Sequence, residues 1–555
     1  MNQRELMARS LDSYLKSGLS RRTLMRASLA AGGLAAMAPF AAAATGGGRR
    51  TIDRAANQEP AWAEAPVKFV WVDYAEPTTI DPALVVDTNS FAVCRNVYEP
   101  LVEIDPAKLE LMPALATEWT LSEDGKTYTF TLREGVTFHG GAPFTADDVK
   151  ATIDRVKTIN QGPSFLVANV TDVTVADPKT VSLTTSDTDP FLPAHLVKIG
   201  IVSAQTIAAN AGDDGQARTY FADNADGTGP FKLASYEKGS QINLAKNEGW
   251  WRGWQPGSID EIAFRWAAET STRIQMLERG EADLIAWVPA TEAMRVGNTE
   301  GFTLVPWQTF DTDPALYINT VKAPTDNVKF RQALAAAFNY QALLDYNQGF
   351  ATTPTGPVPP DFPGGAQDLQ PFVQDLEKAK QLLAESGVDT PTTLDFVVPS
   401  GFATFAFGAT VLQESVKDLG IEVNIQDMPW AQMLELYKSP EDSPHITDFA
   451  QSPFGLDPIQ FVGQFFVTGA VFNMANYSNA DVDAMVAKAK TTLDEAERNT
   501  ILAEVQHKVV EEAVNIWGCR PQTLDADPNH VHGYLMDPTD YRWATKFYLI
   551  RIAQK

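Results

Sequence analysis

Histidine and cysteine, the residues richest in chemistry, are scarce in this chain: six His and two Cys among 555 residues. The histidines are His139, His195, His445, His507, His530 and His532. A secreted hydrolase would need a nucleophile beside a base, or a metal with its ligands. Neither G-x-S-x-G nor H-E-x-x-H occurs, so no local motif supplies either arrangement. His530 and His532 stand one residue apart. That spacing can grip a metal, but we read the pair as part of a polar tail loop. Cys94 and Cys519 are too few for a zinc ribbon or a disulfide framework. They read either as one bridge or as two buried free thiols. The 12 Trp and 14 Tyr offer faces for stacking on a ligand, although many of them must serve as core. No cofactor is expected.

Composition narrows the partners. The formal net charge is −26. A nucleic-acid partner needs a basic face, and anionic lipid repels an acidic surface, so both are excluded. The acidity reads as solubility. With 44% hydrophobic and 21% charged residues the chain can bury an ordinary globular interior, and its length exceeds what one core supports.

The first 44 residues read as an address. Ser20-Arg21-Arg22-Thr23-Leu24-Met25-Arg26 carries adjacent arginines, a mildly apolar run follows from Ala27, and Ala41-Ala42-Ala43-Ala44 forms a small-residue cleavage site. The arginine pair resembles a twin-arginine signal, with cleavage expected near Ala43-Ala44. The run is short for a spanning helix and contains Gly32, Gly33 and Pro39. Cleavage removes six basic and two acidic side chains and carries the net charge from −26 to −30. Residues 45–65 read as a flexible leader. An exported chain meets an oxidising compartment, which keeps the bridge open.

Strands and helices alternate along the rest, which points to mixed α/β lobes. Trp119 and Leu121 run into Ser122-Glu123-Asp124-Gly125, then Tyr128, Phe130 and Leu132 alternate with threonines. That pattern is a hairpin with one buried face. Thr145 with Asp148 three residues on opens a helix carrying Val149, Ile153 and Val156. A second hairpin is expected around Asp177-Pro178. Asp375 to Ser386 reads as a helix with Leu376, Ala379, Leu382 and Leu383 on one face, ended by Gly387. Leu394–Val398, a helical stretch to about Leu419, and Ile421–Ile425 make a βαβ unit, so this part carries a partly parallel sheet. Such sheets place ligands at the carboxyl ends of their strands.

Between Met112 and Val149 the string PALATEWTLSEDGKTYTFTLREGVTFHGGAPFTADDV resembles the signature of the family 5 extracellular solute-binding proteins of peptide, dipeptide and nickel transporters. Four further blocks follow in the family's order. They are Asp226-Gly227-Thr228-Gly229-Pro230-Phe231 with Asn247-Glu248-Gly249-Trp250-Trp251, Thr272 to Asp283, Tyr317-Ile318-Asn319-Thr320 with Val328 to Leu334, and Tyr477-Ser478-Asn479. Most of these residues read as structural: Thr228-Gly229-Pro230-Phe231 sets a chain reversal, and Arg273 positions its helix rather than touching ligand.

The resemblance implies a bilobal α/β periplasmic-binding-protein-like fold (type II, with an extra domain) and a ligand cleft between two hinged lobes. Mapped here, lobe I takes 60–95, 216–310 and 515–555, the extra domain 96–215, and lobe II 311–514. Cys94 and Cys519 then both fall in or beside lobe I. The resemblance further implies a monomeric periplasmic protein, not an enzyme, that captures a peptide or peptide-like solute for an inner-membrane ABC permease. An oligosaccharide, an opine or a metal chelate is the alternative ligand. Ligand-lining positions of the family fall on Asp87, Thr88 and Asn89, on Trp430, and on the loop 451–458 with Phe454 and Asp457. Peptide binders carry at position 454 an aspartate that pairs with the ligand's free amine; here it is Phe454. Either Asp457 has taken that part or the ligand has no such amine. A fold kept without a ligand, as in a structural or chaperone-like periplasmic protein, is the remaining reading.

Overall fold

The computed structural model describes residues 60–554, except 107, 401, 430–431, 434–435, 437–438, 454, 471 and 540–544. Trp430, Phe454 and the segment expected to be a signal peptide lie outside the described residues.

Strand β1 (Lys68–Asp73) starts the fold and buries Phe69, Trp71, Val72 and Asp73. After a loop, helix α1 (Thr88–Val97) begins at an Asp87 cap. A short hairpin, β2 (Val102–Asp105) and β3 (Glu110–Pro113), leads to β4 (Ala116–Leu121) and β5 (Thr127–Leu132). The β4–β5 turn is the one the sequence predicts: Gly125 takes φ +70°, and its N–H donates to Ser122 O at 2.9 Å. Helix α2 (Ala146–Ile159) opens on a reciprocal Thr145/Asp148 capping box. Such a cap stabilises a helix start by about 1 kcal/mol. Strands β6 (Val170–Asp177) and β7 (Thr180–Thr185) complete a four-stranded antiparallel sheet in the order β4-β5-β7-β6. Its inner face and α2 share a core with Phe130, Phe138, Val149, Ile153 and Leu183. Helix α3 (Leu192–Leu196) follows.

The chain then returns to β1. Strands β8 (Phe231–Glu237), β9 (Gln241–Lys246) and β10 (Glu261–Trp266), helix α4 (Thr270–Glu278) and β11 (Leu284–Ile285) build a sheet in the order β11-β1-β10-β9-β8. Within it β1 runs parallel to both β10 and β11. Next come β12 (Phe302–Trp307) and β13 (Thr312–Ile318), then β14 (Ala351–Thr352), α5 (Leu376–Ser386), β15 (Thr392–Pro399), α6 (Ala403–Val416), β16 (Ile421–Met428) and β17 (Ile446–Gln451). Helix α7 (Pro458–Phe466), helix α8 (Glu495–Glu511) and strands β18 (Asn515–Trp517), β19 (Arg520–Pro521) and β20 (Thr523–Pro528) follow. The second mixed sheet runs β16-β15-β17-β13-β18, with β15 parallel to β16 and to β17. This is the expected βαβ unit, packed on both faces. Leu316, Ile318, Phe396 and Leu412 lie in one core, and Tyr317, Phe461, Val505 and Trp517 in the other.

The chain passes between the two mixed sheets twice, through 308–311 and 518–522. Beside these passages β12 and β20 pair antiparallel over six residue pairs. Two adjacent strands at the crossing suit a hinge. Residues 515–517 pair with β13 and so belong to the second sheet, and the return crossing comes later than the expected boundary at 515.

Of the two readings of the cysteines, the structure bears out two buried free thiols, and no Cys94–Cys519 bridge forms. Cys94 sits in the core of the first mixed sheet and Cys519 in that of the second, where its Sγ donates to Asp313 O at 3.0 Å. Placing 515–555 wholly beside the first sheet made a bridge conceivable; the later crossing puts Cys519 on the other side of it. Within α5, Ala379 and Leu382 are buried but Leu376 is exposed, because the N-terminal turn of the helix overhangs the core.

Candidate ligand cleft

Parallel strands leave their carboxyl ends open to a ligand, because the chain turns there into loops and the next helix begins. In the first sheet the register puts Asp73 opposite Trp266 and Val72 opposite Ile285, so β1, β10 and β11 end along one edge. In the second, Pro399 of β15 lies opposite Met428 of β16. Residues just beyond these ends are Tyr74, Ala286-Trp287, Ser400-Phe402 and Pro429-Trp430.

Three large aromatic side chains at these ends are exposed: Tyr74 (38%), Trp287 (37%) and Phe402 (50%). Tyr74 and Trp287 meet edge to face at 5.8 Å between ring centroids. Trp287 takes φ +57°, in the left-handed region. That conformation costs a non-glycine residue about 1 kcal/mol or more and persists only where the surroundings enforce it. Arg273, buried on α4, is the enforcing group. Its guanidinium donates to Ala267 O (2.6 Å), Ala268 O (2.9 Å), Ala286 O (3.1 Å), Trp287 O (3.1 Å) and Thr270 Oγ1 (3.1 Å). One side chain thus ties the ends of β10 and β11 together and aims Trp287. The sequence reading gave Arg273 a positioning role, and these contacts agree with it.

Asp73 closes β1 beneath this pair. Its carboxylate accepts from Tyr74 N at 2.7 Å and Trp71 Nε1 at 3.3 Å. Burial pushes its pKa up to about 6, although those hydrogen bonds and Arg273 oppose the rise. A carboxyl that titrates near neutrality at a cleft edge is a group to watch.

Three of the candidates named from the sequence stand in order at the start of α1. Asp87 caps the helix: Oδ1 accepts from Ser90 N (2.9 Å), and Oδ2 from Ser90 Oγ (2.7 Å) and Thr78 Oγ1 (2.5 Å). Asn89 is buried and donates Nδ2 to Ala75 O at 2.6 Å, bracing the loop after β1. Thr88 donates to Asn89 Oδ1 at 3.1 Å and neighbours the Tyr74 phenol, so it is the member of the trio beside the aromatic pair. This loop is anchored again by Asp81, which receives both Nη atoms of Arg155 on α2 at 2.7 Å in a fully buried bidentate pair.

The other candidates follow β17. Gln451, the last residue of β17, spends its amide inside the fold: it accepts from Trp517 Nε1 (2.9 Å) and donates to Phe461 O (3.2 Å). Asp457 caps α7, accepting from Ile459 N at 2.8 Å, while its Oδ2 faces His195 Nε2 at 3.2 Å. Its carboxylate is therefore committed to protein partners. His530 faces Asp283 at 3.2 Å and His532 packs edge-on to Trp62. Among the described residues no group of three or more His, Cys, Asp or Glu could hold a metal ion. Tyr74, Trp287 and Phe402 were not singled out in the sequence. The signal was there in each case: an aromatic one to three residues after a strand end.

The model of the bacterial extracellular solute-binding proteins, family 5 Middle, matches residues 110–473. The chain is 27% identical over 479 residues to the probable D,D-dipeptide-binding periplasmic protein DdpA of Escherichia coli, covering 84% of this chain and 90% of that one. It is 30% identical over 488 residues to the glutathione-binding protein GsiB of Salmonella typhi, covering 83% and 90%. Among solved structures, the periplasmic binding protein DppA of Helicobacter pylori in complex with the peptide STSA superposes with a TM-score of 0.72. It shares 24% identity, with 88% of this chain and 98% of that one covered, which establishes the shared fold. With a bilobal α/β architecture and a family match across most of its length, the chain belongs to the bacterial extracellular solute-binding proteins, family 5.

Proposed function

We propose that this chain is exported to the periplasm, where as a monomer it captures a small peptide-like solute between its lobes and delivers it to an inner-membrane ABC permease. The observation that carries the reading is the set of exposed aromatics at the carboxyl ends of the parallel strands: Tyr74 and Trp287 on the first sheet, Phe402 on the second. Elsewhere large rings are mostly buried, and aromatic faces with a few placed polar groups are how enclosed sites grip organic ligands. Trp430, two residues after β16 in the sequence, is proposed as a further ligand contact, with Thr88 beside the Tyr74 phenol and Asp87 and Asn89 holding the loop that carries it. Curated relatives whose names specify a D,D-dipeptide and glutathione support a peptide-like ligand.

The ligand's charge follows from what faces position 454. Phe454 offers no carboxylate, and Asp457 is already paired with His195 and Ile459 N. A buried ammonium without a counter-charge is costly. The preferred ligand is therefore a peptide-like compound lacking a free ammonium at that place. A thermal-shift screen of matched dipeptides, N-acetylated and free, tests this. Acetylated members should stabilise the protein more than free ones. Equal or reversed preference would overturn the charge argument, and silence across peptide, sugar and chelate sets would overturn capture itself.

A further inference from the structure

The loop after β17 is held at two points by segments outside the second sheet. Gly455 donates its N–H to Thr539 O in the C-terminal segment at 3.0 Å. Asp457 meets His195 Nε2 at 3.2 Å, and His195 stands on α3, beyond the four-stranded sheet. Asp457 is 4% exposed, and Ala194 and Val197 pack into one core cluster with Leu456, Ile459 and Phe461. On its other side the imidazole faces Asp189: Nδ1 lies 3.9 Å from Oδ2. Asp189 is itself fixed by Asn169 Nδ2 (2.7 Å) and Phe191 N (2.9 Å). The ring thus sits between two buried carboxylates brought from opposite sides of a domain boundary. The remaining charged groups nearby point elsewhere. Arg498 of α8 lies over the Phe191 ring at 5.0 Å. Lys198 packs on the Phe91 ring at 4.9 Å. On β2, which packs on α3, Glu103 is paired with Lys546 at 3.1 Å and Arg252 at 3.2 Å, and Asp105 pairs with Lys108 at 3.6 Å.

We propose that His195 is a positioning residue for ligand capture: it latches the antiparallel domain onto Asp457 at the start of α7 and so holds the two lobes closed on one another. This rests on the reading that ligand is captured between the lobes. Burial opposes protonation of the ring, but the hydrogen bond and charge of Asp457, with Asp189 behind, outweigh it and raise the pKa above the ordinary 6.5. The latch is therefore strongest with the ring charged. Its contribution is complete below pH 6.5 and fades as pH rises through the higher pKa of the latched state. Acid favours closure.

The test needs no ligand. Dyes placed at Thr171→Cys and Glu377→Cys report lobe closure by energy transfer, and the two native thiols are buried away from the label. The closed-to-open ratio should be at least about threefold higher at pH 6.0 than at pH 8.5, because the latch holds the charged ring. His195→Gln keeps an N–H donor without titrating, so closure should persist but become independent of pH. Asp457→Asn keeps the helix cap, since Asn caps as well as Asp, and should also abolish the pH response. His195→Ala should open the molecule at both pH values. A wild-type response that survives in His195→Gln and Asp457→Asn, or an unchanged ratio in His195→Ala, overturns the latch. Because these ratios are read without ligand, a failed ligand screen would leave them standing and would count against the capture reading alone.

Discussion

Replacing Arg273 by methionine probes the cleft edge without touching the cleft. Methionine matches the length of the arginine stem, so packing is largely kept while five hydrogen bonds are lost. Four of the acceptors are main-chain carbonyls at the ends of β10 and β11, and Arg273 is 2% exposed, so little water reaches the vacated space. At about 1 kcal/mol for each carbonyl left unpaired, the loss is roughly 4 kcal/mol. With a urea dependence of at least about 3 kcal/mol/M for a chain this long, the unfolding midpoint should fall by up to roughly 1.3 M. A second signature follows from charge. Arg273 is among the groups that hold the Asp73 pKa down to about 6, so its removal should drive that pKa higher. A carboxyl with a raised folded pKa loses stability as pH climbs from 3.8 through the folded value, and the variant should lose it over a wider pH span. Arg273→Lys should fall between, because an ammonium cannot span four carbonyls in one plane. A methionine variant within 1 kcal/mol of wild type, with the same pH profile, would refute the claim that one guanidinium organises this edge.

Trp287→Gly should separate stability from binding. Glycine adopts φ +57° freely, so the unliganded protein should hold its stability or gain about 1 kcal/mol, while ligand affinity falls at least roughly tenfold with the lost aromatic face. Calorimetric titration with the best ligand of the screen measures both. Asp448→Asn tests a fully buried acid in the second sheet, beside the Ala315 and Phe449 main-chain N–H groups. Burial, with Asp313 adding to it, pushes the Asp448 pKa well up. The unfolded carboxyl ionises above 3.8 while the folded one keeps its proton, so wild-type stability falls as pH rises from there. The asparagine variant escapes that fall and should be about 1–3 kcal/mol more stable at pH 8, with the gap closing toward pH 4 in urea melts.

The elements were legible where a local rule decides them. The Asp124-Gly125 turn, the Thr145/Asp148 box and the strand–helix–strand run of 392–428 each carry their cause within a few residues. The cysteine pairing was not, because it turns on which side of the crossing residues 515–522 fall, and that is settled by pairing with β13, a strand two hundred residues earlier. The site was half legible. Asp87 and Asp457 read from the sequence as ligand groups, and their carboxylates are found on helix N–H groups. Capping and ligand binding ask for the same residue at the same loop end, so the sequence does not separate them. Trp287 was hidden for another reason: its backbone conformation depends on an arginine fourteen positions away, reaching back across a strand end.

Capture between the lobes is tested most directly by native mass spectrometry of the protein purified without denaturation from its own host, wild type beside Trp287→Gly. Wild type should carry a small peptide-like compound at close to one per chain, released when the lobes are opened by mild denaturant, and the variant should arrive empty. A wild-type protein that is empty under the same handling, or a compound retained equally by the variant, would contradict an aromatic cleft as the place where ligand is held.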